Sequence, residues 1–142
     1  MRWTFLEELL DICIATMADL DPEIVACFTA QMMGHVPRCL TIKALARYRG
    51  LPEIEGAAES LRNKLFDVSE LRNRAIHDRL LIDTKSRKPF KEHRMSKKEL
   101  LYGLQPFDKK ELERALTLIE NRQKDCVNLL SLIRAQVYEY DP

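Results

Sequence analysis

Residues 53–80 read EIEGAAESLRNKLFDVSELRNRAIHDRL, and this stretch decides the fold. At about 100° per residue, Ile54, Ala58, Leu61, Leu65, Val68 and Ala75 fall on one stripe, which predicts a long amphipathic helix from about Glu53 to about Leu80. Gly50-Leu51-Pro52 stops the helix before it. Arg72 falls inside the apolar stripe, four residues after Val68 and three before Ala75. A charge there needs a partner, water or a ligand; Asp11 and Glu120 are acidic partners available to it. Phe66, Asn73 and His77 lie along a neighbouring face, with Asn73 and His77 one turn apart. The spacing therefore aims Arg72 along a packing seam and His77 towards another surface.

The other elements follow outward from this helix. Leu6, Leu9, Leu10, Cys13, Met17 and Leu20 recur at three and four, giving a first helix over about 4–20, with Thr4 and Glu7 spaced as a capping box. Asp21-Pro22 caps and opens the second helix, with Leu20 placed to staple onto Val25. That helix is apolar almost all round (Ile24, Val25, Phe28, Met32, Met33), which predicts burial on more than one side. Gly34-His35-Val36-Pro37 kinks it before it resumes through Cys39, Leu40, Ile42, Leu45 and Tyr48. His35, beside the break, reads as structural. Residues 81–107 read as irregular: a basic arm or small hairpin, with Leu81-Ile82-Asp83 and Phe90 as short strands around Ser86-Arg87-Lys88. Asp108 with Glu111, and Phe107 with Leu112, open the last helix, whose core face runs through Leu112, Leu116, Ile119, Cys126, Leu130, Ile133 and Val137 to about residue 138. The expected fold is all-α: an antiparallel up-down four-helix bundle with a kinked second helix, in one domain over residues 1–142. Counting the kinked helix as two makes five.

Composition bounds the function. The chain has 142 residues, 46% apolar and 32% charged, with 4 Gly, which suits a packed helical domain and argues against disorder. No apolar run reaches the ~18–20 residues that cross a bilayer, and Glu7, Glu8 and Asp11 interrupt the first helix, so a cytoplasmic protein without membrane contact is expected. Cys13, Cys27, Cys39 and Cys126 lie in separate segments with no C-x-x-C pair, which predicts buried free thiols. His35, His77 and His93 are far apart with no second ligand at useful spacing, so neither a metal nor another cofactor is expected. The net charge of +1 hides an asymmetry. Lys85, Arg87, Lys88, Lys91, Arg94, Lys97 and Lys98 crowd one segment, opposed there only by Glu92, and that segment is the candidate contact for a polyanion.

Standard catalytic motifs are missing from the sequence: there is no G-x-S-x-G, P-loop, dinucleotide fingerprint or H-E-x-x-H. Leu71-Arg72-Asn73-Arg74-Ala75-Ile76-His77-Asp78 instead resembles the motif of the HEPN (higher eukaryotes and prokaryotes nucleotide-binding) domain family: an arginine, a polar residue, then a histidine four to six residues beyond the arginine. Its place late in a third helix, before a variable insert and a long last helix, resembles that family's layout over the whole chain. Many such proteins are metal-independent ribonucleases of toxin–antitoxin and defence systems, working as dimers whose paired motifs share a cleft. The resemblance implies that His77 is the general acid or base at the ribose 2′-OH or the leaving oxygen. Arg72 would bind the scissile phosphate, and Asn73 would orient the histidine or the phosphate. Lys85, Arg87, Lys88, Lys91 and Arg94 would guide the RNA backbone. It further implies a homodimer, RNA as substrate, and a cognate antitoxin-like protein as a partner. Two other readings remain open at this point. One is a non-catalytic helical module binding a protein, nucleotide or RNA; the other is a purely structural bundle.

Overall fold

The computed structural model describes the backbone of residues 2–77, 79–96, 100–106 and 108–138, and the side chains of residues 4–71, 81–90 and 108–138. The chain is mostly helical. In order it forms α1 (Arg2–Ala18), α2 (Pro22–Thr29), α3 (His35–Arg49), α4 (Pro52–His77), β1 (Arg79–Ile82), β2 (Pro89–Ser96), β3 (Leu100–Pro106) and α5 (Lys109–Tyr138). Two compact units are distinguished: Met1–Phe66 with Leu118–Pro142, and Asp67–Thr117.

The first unit is helical, and its core follows the predicted stripes. Leu6, Leu10, Cys13, Ile14 and Met17 of α1 are buried with Cys39, Ile42 and Ala46 of α3. They are joined by Ile54, Ala58, Leu61 and Leu65 of α4 and by Cys126, Leu129, Leu130 and Ile133 of α5. Each fully buried leucine or isoleucine contributes about 1.5–3 kcal/mol relative to exposure. Arg47 pairs with Glu55 and Lys43 with Glu59, so each step up α3 is a step down α4 and the two helices run antiparallel. The turn between them is built by Gly50 at φ 70°, where an L side chain would be strained, with Leu51 N–H bonded to the Ala46 carbonyl at 2.9 Å. At the far end of α5, Gln136 donates to Glu53 at 2.6 Å, tying the last turns of α5 to the start of α4.

Helix starts and stops bring the first differences from expectation. Helix α1 already runs through Thr4, so a Thr4–Glu7 capping box does not open it. Asp21 does cap α2, accepting from Glu23 N–H at 2.9 Å with Pro22 in the first turn. The kinked second helix is instead two helices, separated by residues 30–34. Pro37 lies in the first turn of α3, where its missing amide has no helical partner to lose, so it starts a helix rather than bending one. Gly34 makes the break at φ 77°, ψ −167°, a region that glycine tolerates and side chains resist. Helix α2 is also less buried than its composition suggests. It packs against α1 and buries only Val25 and Thr29, leaving Ile24 54% and Phe28 39% exposed. Two turns of helix have one face to offer a single neighbour. Cys27 is exposed with them, whereas Cys13, Cys39 and Cys126 are buried free thiols. Burial pushes Cys13 and Cys39 up to about 12, and Cys126 upwards as well, so all three remain protonated.

A buried ion pair holds the break together. The Arg38 guanidinium donates to Asp11 through Nε (2.8 Å) and Nη2 (3.4 Å). It also donates to the carbonyls of Met32 (2.9 Å), Gly34 (2.8 Å) and Thr29 (3.2 Å). One side chain thereby satisfies the carbonyls freed where α2 ends and ties the linker to α1. His35, next in the chain, is 4% exposed, and its ring hydrogen-bonds the Arg62 backbone on α4. Burial is the chief effect on this imidazole and lowers its pKa, against the raising effect of that hydrogen bond. An unfolded histidine titrates near about 6.5. The folded state therefore resists the proton that the unfolded state takes up, so His35's contribution is complete above about pH 6.5 and is lost as pH falls below it. Thermal melts from about pH 7.5 to about pH 5 are expected to show a steeper fall in Tm for the native chain than for His35→Gln. Parallel slopes would assign the acid sensitivity to other groups.

The second unit contains a three-stranded antiparallel sheet in the order β1-β2-β3. Leu81 is paired with Phe90 and Ile82 with Pro89, and β2 continues against β3 with Lys91 opposite Gln105 and Arg94 opposite Tyr102. The expectation of irregular chain or a small hairpin was too modest. β2 reads PFKEHRMS and has no apolar alternation to betray it; cross-strand pairing, rather than propensity, makes it a strand. Asp108 opens α5 as predicted, accepting from Lys110 N–H at 2.8 Å. Phe107, its proposed staple, lies outside the described residues. Leu112 and Leu116, predicted for the core face of α5, are 40% and 42% exposed.

Candidate nucleic-acid interface

Arg72, Asn73 and His77 all lie in α4, and His77 is its last residue. The helix is unbroken across them, so the predicted helical spacing of the three is realised in the backbone. Their side chains lie outside the described residues. Val68, one turn before Arg72, is fully buried, in keeping with the predicted stripe. Of the acidic partners considered for Arg72, the Asp11 carboxylate is engaged by Arg38.

The basic segment is divided between a turn and a strand. Lys85, Arg87 and Lys88 occupy the turn joining β1 to β2, and all three are exposed. Asp83 builds this turn. Its carboxylate accepts from the Lys85 and Ser86 amides, both at 3.1 Å, and from the Ser86 hydroxyl. The turn is closed by Arg87 N–H to the Asp83 carbonyl (2.8 Å) and Asp83 N–H to the Lys88 carbonyl (3.0 Å), with Arg87 at φ 54°. The Ser86 hydroxyl first, and then the two amides, hold the Asp83 carboxyl below the usual range, so it stays ionised while serving the backbone. The turn thus presents three cations around one carboxylate already occupied by local hydrogen bonds. Lys91 and Arg94 lie in β2, with their side chains outside the described residues.

Among the described residues, no group of three or more His, Cys, Asp or Glu side chains is placed to hold a metal ion, and no helix is long and apolar enough to cross a membrane. The sequence reading passed over Arg62 and Asn63, which line a cavity of about 410 Å³ with Val36 and Phe66. A signal for them exists: Leu61-Arg62-Asn63-Lys64 precedes Leu71-Arg72-Asn73-Arg74 on the same helix, the same three residues followed by a base. No family model matches the chain, and no curated protein or solved structure does.

Proposed function

We infer that the protein is a metal-independent endoribonuclease, acting as a cytoplasmic homodimer in a toxin or defence role. The observation that carries the reading is the order of parts along one compact unit: Arg72, Asn73 and His77 in the closing turns of α4, followed at once by a hairpin whose turn exposes Lys85, Arg87 and Lys88. The resemblance of Leu71–Asp78 to the HEPN motif supplies the chemistry. His77 takes the proton of a ribose 2′-OH, and the 2′-oxygen attacks the adjacent phosphorus. The bond to the 5′-oxygen breaks, and that oxygen leaves with a proton. The products are a 2′,3′-cyclic phosphate and a 5′-hydroxyl end. Arg72 meets the phosphate with a bidentate guanidinium, and Asn73 orients the histidine or the phosphate. In a dimer, a second copy of the motif supplies the complementary acid or base. An antitoxin-like partner would restrain the activity by covering this surface.

The direct test is incubation of the purified chain with RNA in EDTA, reading product ends. Cyclic phosphate termini support the reading, and binding without turnover would favour a non-catalytic module. The hairpin has its own expected outcome. Lys85, Arg87 and Lys88 replaced together by Gln are expected to weaken RNA binding at low salt by roughly tenfold or more, and to flatten the dependence on salt concentration. An unchanged salt slope would remove the hairpin from the interface.

A further inference from the structure

The cavity beside the start of α3 has the chemistry of a ligand site, and its described lining residues all belong to the first unit. The α3–α4 register that pairs Arg47 with Glu55 and Lys43 with Glu59 brings Val36 opposite Phe66, and these two form its apolar walls. Phe66 is 50% exposed and Val36 is 36% exposed. Among the described residues, Arg62 and Asn63 also line it, four and three residues before Phe66 on the same face of the helix. Behind them lies the buried ring of His35, next to the Arg62 backbone.

We propose that Val36, Arg62, Asn63 and Phe66 form a nucleobase subsite for single-stranded RNA. A base is a flat aromatic of limited size with donors and acceptors on its edge, and each part of the cavity answers one of those properties. The Phe66 ring offers a stacking surface, and Val36 an apolar wall. The Asn63 amide carries both a donor and an acceptor, as needed to read a base edge in two hydrogen bonds. Arg62 shares Glu59 with Lys43: Nη2 lies 2.5 Å from Oε1, and Lys43 Nζ lies 3.1 Å from Oε2. The Arg62 guanidinium, on the cavity wall, is the group placed to meet the phosphate beside the base. An apolar protein ligand would leave the amide and the guanidinium without use. The proposal deepens the RNA reading above and rests on it for the class of ligand.

The test uses the full chain carrying His77→Ala, so that RNA is not consumed, and a fluorescein-labelled ten-nucleotide single-stranded RNA read by anisotropy. A matched strand of abasic ribose serves as the comparison. Phe66→Ala and Asn63→Ala are each expected to weaken RNA binding by roughly tenfold or more, with Phe66→Trp close to the parent. The abasic strand should bind more weakly and be indifferent to Phe66→Ala. Circular dichroism checks that each variant keeps its helices, as a half-exposed position should allow. Equal affinity of the parent and Phe66→Ala for RNA, or equal affinity of the two strands for the parent, would overturn the subsite and leave the ribonuclease reading standing. A parent that binds no RNA would overturn both.

Discussion

Replacing His77 by alanine is expected to lower RNA cleavage by at least about a hundredfold while leaving the fold intact. Proton transfer by a positioned side chain typically contributes about 10²- to 10⁴-fold, and alanine can neither accept nor donate the proton. The native chain and the variant would be compared on one RNA in EDTA, with product ends and circular dichroism read in parallel. Arg72→Ala should cause a loss of similar size through the phosphate, and Arg72→Lys should recover little, because a point charge does not reproduce a planar fork. Cleavage that survives both His77→Ala and Arg72→Ala would refute the ribonuclease reading. Loss of helical signal in either variant would move the explanation to folding, and His77→Gln, closer in size and still polar, then separates the two.

The second large effect is structural. Arg38→Ala is expected to destabilise the chain by about 3 kcal/mol, read from the midpoint of urea unfolding at unchanged slope. The guanidinium side chain is 8% exposed, and its removal takes a partner from a half-buried Asp11 carboxylate and from three backbone carbonyls at once, of which Thr29's keeps the Met32 N–H. Arg38→Lys should recover only part of the loss, since a single ammonium cannot reach both the Asp11 carboxylate and the carbonyls of the linker. A loss below about 1 kcal/mol would mean that water satisfies these groups as well as the arginine does.

The parts of the fold legible in the sequence are those with long periodicity. Helix α4 spans 26 residues, and every member of its stripe whose side chain is described (Ile54, Ala58, Leu61, Leu65, Val68) is buried. Short elements were misjudged because their fate depends on neighbours. Helix α2 has the composition of a core helix but lies against α1 with one face, and β2 has the composition of a loop but partners on both edges. Arg38 carried no warning either, since an arginine at that position reads as surface until the Asp11 carboxylate is brought to it across 27 residues. The candidate site was legible as a string, Arg72-Asn73 and His77, because a motif depends on spacing alone. The Arg62, Asn63 and Phe66 cavity was not, because Val36, which also lines it, comes from another helix.

The ion pairs of the first unit also carry information about time. Arg47 and Glu55 are 8 residues apart and Lys43 and Glu59 are 16, whereas Arg38 and Asp11 are 27. Closing a chain segment costs entropy that rises with its length, so contacts beside the Gly50 turn can form first, each shortening the loop that the next must close. The α3–α4 hairpin is built to zip from its turn, and the clamp on the broken helix to lock afterwards. Stopped-flow kinetics of Arg38→Ala should then show most of the loss as faster unfolding, with refolding nearly unchanged; slowed refolding would put the clamp in the nucleus. A discontinuity between two helices, stitched by one arginine, would thus govern how long the native state lasts more than how quickly it is reached.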